Sequence, residues 1–226
     1  LPAIDTVAVA VRGYNGVAII EGLALRQIVD ARGIGVYGIA ADPVHNQIVV
    51  VSRDSGTARI LYKEGQDWKN DGAEIRFQGD RPVPFEAAYN PANQKLYVVY
   101  NVHGPKWYVD VFDKQSAHQV TRRATIPVGD GGGNNDPNVG GTGLIVNPNT
   151  GNVFNANTIE NTVSVISPDD KLLATVSTGP DPFMLTVDPG ANTIYVALRA
   201  ANRIQKIKDA FTRASSKGLE QNTVNR

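Results

Sequence analysis

One recurring dipeptide constrains this chain more than any other feature. An apolar run ends on Asp-Pro or Asn-Pro four times, at Asp42-Pro43, Asn90-Pro91, Asn147-Pro148 and Asp188-Pro189, at intervals of 48, 57 and 41 residues. Proline fixes φ and cannot donate to a β-ladder, so it ends a strand. Asp or Asn before it bonds the backbone two residues on and seeds a tight turn. Each pair is followed by a turn rich in Asn or Gly and then by a β-branched or aromatic run, at 47–52, 95–100, 152–156 and 193–198. A second run comes after a polar turn, at 58–62, 108–112, 162–166 and 203–207, and a third at 73–77, 123–128 and 172–176. Runs such as Ile48-Val49-Val50-Val51 are too short and too β-branched for helices and read as strands buried on both faces.

Four short strands per unit of about 40–45 residues is the period of a propeller blade. The expected fold is therefore all-β, a β-propeller of four-stranded antiparallel blades. A β-sandwich also repeats its turns, but it does not repeat whole units. With 22 Gly and 13 Pro in 226 residues, a helical bundle is excluded. Residues 6–20 align without a gap on 193–207, Arg12 falling on Arg199 and Asn15 on Asn202. That match assigns the runs at 6–11, 16–21 and 23–29 to the second, third and fourth strands of a blade. Five blades are expected: a partial one near 1–32, then 33–79, 80–129, 130–178 and a second partial one at 179–208. The polar tail 209–226 follows. A first strand is wanting at one end and a fourth at the other. The ring is either an irregular five-bladed one or, the favoured expectation, part of a six- to seven-bladed ring closed by further blades or a second chain.

Composition removes several classes of function. Lys plus Arg and Asp plus Glu balance at 22 each, so no bulk field attracts nucleic acid or an anionic membrane. No stretch approaches the roughly 18 apolar residues of a membrane span. The absence of Cys excludes disulfides, thiolate catalysis and Cys-ligated metals. The chain opens on Leu1 without a visible leader, which reads as a cleaved leader or as a piece of a longer chain. The expectation is a secreted, periplasmic or cell-surface protein.

The unit Asn161-Thr162-Val163-Ser164-Val165-Ile166, with Leu173-Ala174-Thr175-Val176, Thr178-Gly179-Pro180, Val187-Asp188-Pro189 and Ile194-Tyr195-Val196-Ala197, resembles the YVTN-type β-propeller repeat. The match is close over 143–207 and looser elsewhere. The resemblance implies the fold and kinship with surface-protein propellers or lactonase-like ones. It carries over no catalytic residue.

Blade geometry narrows the search for a site. The first strand of each blade lines the central channel. The loops leading into it share one rim with those joining the second and third strands, and the Asp-Pro turns occupy the other rim. Four residues before each Pro-containing pair stand Gly38, Glu86, Gly143 and Met184; five before stand Tyr37, Phe85, Thr142 and Phe183. Glu86 is the one carboxylate among these equivalents. The same rim carries Arg53, Asp54, Asn101, His103, Lys106, Trp107, Asn157, Glu160, Arg199 and Asn202. The binding candidates are Glu86, Asn101, His103, Trp107, Arg53 and Arg199. The candidate metal ligands are Glu86, His103, Asp130 and Asp136, whose oxygens suit Ca²⁺ or Mg²⁺. Asp130 and Asp136 lie in the glycine-rich stretch 129–141, which departs from the EF-hand pattern and, as a phosphate cradle, lacks a Lys. No catalytic triad or nucleophile elbow is present. The first expectation is a non-catalytic binding or scaffold propeller that presents one face to a protein or glycan partner. The alternative is a metal-dependent lactonase or lyase at the channel mouth. A quinoprotein-like role has no residue to support it.

Overall fold

The computed structural model describes residues 6–102, 106–129 and 143–211. Its strands form five antiparallel sheets. The first sheet holds β1 (Thr6–Val11), β2 (Gly16–Glu21) and β3 (Ala24–Asp30). The second holds β4 (Val36–Asp42), β5 (Gln47–Ser52), β6 (Thr57–Glu64), β7 (Asp67–Lys69) and β8 (Glu74–Arg76). The third holds β9 (Val83–Asn90), β10 (Lys95–Asn101), β11 (Trp107–Lys114) and β12 (Val120–Gly129). The fourth holds β13 (Leu144–Val146), β14 (Val153–Asn157), β15 (Thr162–Ile166) and β16 (Leu172–Ser177). The fifth holds β17 (Pro182–Asp188), β18 (Thr193–Leu198) and β19 (Arg203–Lys208). The α-helix is absent from the described residues, and no helix among them is long and apolar enough to cross a membrane.

The Asp-Pro and Asn-Pro turns form as their chemistry dictates. Oδ1 of Asp42, Asn90 and Asn147 accepts the N–H two residues on, from Val44, Ala92 and Asn149, at 3.0–3.1 Å. Oδ1 of Asp188 accepts from Ala191, three residues on, at 3.1 Å. Each turn then passes through a left-handed residue, Asn46, Gln94, Gly151 or Asn192, which reverses the chain into the second strand. The alignment of the two ends also holds in three dimensions. Arg12–Tyr14 and Arg199–Ala201 are both single 3₁₀ turns, closed by left-handed Asn15 and Asn202. The first sheet therefore starts at the second-strand position, and the fifth stops at the third.

Neighbouring sheets pack face to face, with a core cluster in each of the four interfaces. Every residue of β5 is buried. Ile48 and Val50 meet the first sheet, and Val49 and Val51 meet the third. The third sheet repeats this: Leu96 and Val98 point back to the second sheet, while Tyr97 and Val99 point on to the fourth. This two-sided burial explains the uninterrupted β-branched runs. The first strands β4, β9, β13 and β17 lie side by side down one edge of the stack.

In the second sheet the strand expected at 73–77 is β8, and a further short strand, β7, precedes it. β7 pairs residues 62–64 of β6, and β8 pairs residues 57–59. The segment between them turns at Gly72, where a Cβ would stand 2.3 Å from the Ile60 carbonyl oxygen.

Candidate functional site

Three of the four innermost strands are irregular at one shared level. The ladder slips between Val36 and Ile39 on β4, opposite Val99 and Tyr100 on β9, and between Pro182 and Leu185 on β17. The residues out of register are Tyr37 and Gly38, Phe85, and Phe183 and Met184, which fall at positions four and five residues before the Pro-containing pairs. Bulges of this kind re-aim side chains near sheet ends.

At the β9 bulge, Glu86 turns toward the second sheet. Its Oε1 accepts the N–H of Ile39 on β4 at 3.2 Å and that of Ala87 at 3.1 Å. Gly38 leaves the space the carboxyl occupies, since a Cβ there would stand 2.9 Å from Glu86 Oε1 and 2.4 Å from the Phe85 carbonyl oxygen. Burial pushes the Glu86 carboxyl up to about 7, against two backbone N–H groups that pull it down. Oε2 takes no hydrogen bond from the described residues.

Phe85 organises the neighbours of Glu86. Arg53, at the turn after β5, lays its guanidinium 4.8 Å from the Phe85 ring centroid. Trp107 packs on the same ring at 5.0 Å, and Tyr37 meets it edge-on at 6.0 Å. Asn101 ends β10 opposite Trp107 and Val83. It is buried, and its Oδ1 has no hydrogen-bond partner among the described residues. Arg53 and Trp107 thus meet on the ring of Phe85, next to Glu86, and Asn101 pairs with Trp107 across the ladder. Trp107 enters as a buried member of the core between the third and fourth sheets, and of these residues only Arg53 and Glu86 are partly exposed. Arg199 repeats the arginine-on-aromatic arrangement over Phe183 at 4.4 Å, in the fifth sheet, and is tied to Asp181 at 2.6 and 3.1 Å. His103, Asp130 and Asp136 lie outside the described residues.

A groove of about 420 Å³ opens beside this cluster, lined by Arg53, Asp54, Ser55, Arg81, Pro82 and Val83. Arg81 escaped the sequence reading. It adopts a left-handed conformation at φ 44° in the loop before β9, and no repeat pattern marks it. The described residues contain no group of three or more His, Cys, Asp or Glu placed to hold a metal. A carboxyl with its proton affinity near neutrality is also a poor hard-metal ligand until it ionises.

The opposite rim is built differently. Buried polar groups there form latches between successive sheets. Lys114 Nζ reaches Asp42 Oδ2 at 2.6 Å, with both side chains buried. Lys95 Nζ reaches Asp170 Oδ1 and the Pro168 carbonyl, both at 2.7 Å. Asn147 and Asn152 donate to Asp209 at 2.6 and 2.9 Å.

No protein-family model matches the chain, and none of the curated proteins compared does. Solved structures do. A candidate 6-phosphogluconolactonase from Bacteroides uniformis ATCC 8492 matches with TM-score 0.77 and 13% identity, over 98% of this chain and 68% of that one. Kuenenia stuttgartiensis hydrazine synthase matches with TM-score 0.75 and 14% identity, over 93% of this chain and 70% of that one. The β-propeller domain of Myceliophteria thermophila Cps50 (Swd1) matches with TM-score 0.71 and 10% identity, over 96% of this chain and 67% of that one. At such identities the likeness is one of fold, and together with the stacked sheets it shows that this chain has the β-propeller fold.

Proposed function

We propose that this chain is a non-catalytic binding propeller of the YVTN-like kind, exported, that presents the rim of Arg53, Arg81 and Glu86 to a protein or glycan partner. The observation that carries this reading is the contrast between the two rims. On one, charged side chains close buried latches between sheets. On the other, Arg53, Asp54 and Arg81 line a groove, Asp54 and Arg81 exposed and Arg53 laid over the Phe85 ring, with Arg12 3.9 Å from Asp54. Arginines held over aromatic rings are preorganised to meet carboxylate or hydroxyl groups at low entropic cost. The test is binding to glycan and protein arrays by the wild type, by the Arg53→Ala, Arg81→Ala pair, and by His118→Ala on the opposite rim. The reading expects the double variant to lose at least tenfold in affinity while His118→Ala binds as the wild type does. Equal binding by all three would overturn it.

A second reading is a metal-dependent lactonase or lyase. It is favoured by one feature, a buried carboxyl shifted to about 7 whose second oxygen takes no hydrogen bond from the described residues. Under it, Glu86 would transfer a proton at the channel mouth and, once ionised, supply one ligand to Ca²⁺ or Mg²⁺. Activity on sugar lactones that persists unchanged in Glu86→Gln would exclude that role.

A further inference from the structure

The second-strand positions of the sheets allow a like-for-like comparison. Ile48 and Val50, Leu96 and Val98, and Ile194 and Val196 each face the preceding sheet and are at most 3% exposed. Their equivalents in the first sheet, Val7 and Val9, are 56% and 41% exposed, and Ile28 on β3 is 48% exposed. This is the core-facing side of a blade with nothing described in front of it.

The inner edge of the same sheet is also open. β1 pairs only with β2, whereas β5, β10, β14 and β18 each have a first strand on that side. Nothing in Thr-Val-Ala-Val-Ala-Val protects the edge, for it holds neither a charge nor a proline. The other open edge, β19, carries Arg203, Lys206 and Lys208, which do protect it. Beside β1 runs a groove of about 320 Å³, with Thr6, Ala8, Ile39, Ala41, Gln47 and Trp68 among its lining residues. Two of these hold buried polar atoms without a hydrogen-bond partner among the described residues, Oε1 of Gln47 and the indole N–H of Trp68. An added main chain brings the donor and the acceptor these atoms lack.

We propose that the edge of β1 and this groove receive an antiparallel β-strand, the missing first strand of the first sheet. It belongs to further repeats of the same polypeptide, which also cover Val7, Val9 and Ile28. The size of the matching structures supports this occupant. The chain spans 67–74% of their length with five sheets, which makes a full ring about seven. A gap of about two blades has no room for a second copy carrying five.

The chain contains no Cys, so Val7→Cys or Val9→Cys introduces a single thiol. Maleimide labelling is compared between the 226-residue chain and the product of its complete reading frame, each at two protein concentrations. Amide exchange of β1 in the unsubstituted proteins gives the same comparison should a variant fail to fold. The proposal expects labelling and exchange at least tenfold slower in the complete product, at both concentrations. It is overturned by equal rates, by protection that grows with concentration and so reports a second copy, or by a reading frame that encodes no further repeat.

Discussion

The carboxyl of Glu86 sits in the space that Gly38, on the neighbouring blade, leaves by having no side chain. Oε1 would be 2.9 Å from a Cβ at position 38, and the Phe85 carbonyl oxygen only 2.4 Å from it. The backbone oxygen cannot swing aside as a flexible side chain would. Gly38→Ala is therefore expected to lower stability by about 1–3 kcal/mol through overpacking. Chemical denaturation checks this, and a neutral result would mean that β4 and β9 do not approach as described.

Glu86 makes the fold less stable as pH rises toward neutrality. Its folded pKa lies above its unfolded value, about 7 against 4.5. The folded state then holds a proton that the unfolded state has lost, and stability falls as pH rises from about 4.5 through 7. Glu86→Gln keeps an acceptor for the Ile39 N–H and removes the charge. The variant is expected to match the wild type near pH 4 and to exceed it by up to about 3 kcal/mol at pH 8. Denaturation midpoints at the two pH values test this, and parallel curves would contradict it.

The Asp42–Lys114 latch predicts the opposite slope. Burial raises the Asp42 carboxyl, but hydrogen bonds from Lys114 and His45 outweigh it and hold the group below its usual value. This stabilisation is present above the unfolded pKa and is lost as pH falls through the folded one. Lys114→Met strands a buried carboxylate and is expected to cost about 3–5 kcal/mol at pH 7. The loss should shrink in acid, where Asp42 is protonated in both proteins. A pH-independent cost would show that the ion pair is not its source.

Trp107 separates a packing role from a ligand-contacting one. It is 4% exposed, against Phe85 and the core between the third and fourth sheets. Trp107→Ala is expected to cost about 3–5 kcal/mol of stability. A residue held only for ligand contact would leave thermal unfolding unchanged.

The repeat architecture was legible because it is written in local chemistry. The Asp-Pro and Asn-Pro turns, their left-handed residues and the two-sided burial of β5 and β10 each follow from short stretches of sequence. The match of Arg12 to Arg199 located the open first sheet without any coordinates. β7 was not legible, because Asp67-Trp68-Lys69 is no β-branched run and shows as a strand only through its pairing with residues 62–64. The site was half legible. Counting back from the Pro-containing pairs picked out Glu86 and put Phe85 at the channel, but it carried no sign that the carboxyl is buried. The burial of Glu86 depends on the absent side chain of Gly38, 48 residues away. Trp107 stands at a rim position of the repeat, while its packing partner Phe85, 22 residues away, is set by the fold and does not show in the sequence. Arg81 has no counterpart at a repeat position, so nothing in the pattern flagged it.

The most direct test of the account is the titration of the Glu86 carboxyl itself, followed by carbon-detected NMR on selectively labelled protein and assigned with Glu86→Gln. Glu86 pressed against β4 by a recurring bulge titrates near the value of about 7 that its burial imposes. A midpoint at an ordinary glutamate value, about 4.3, would place the side chain in water and would contradict the arrangement of the rim.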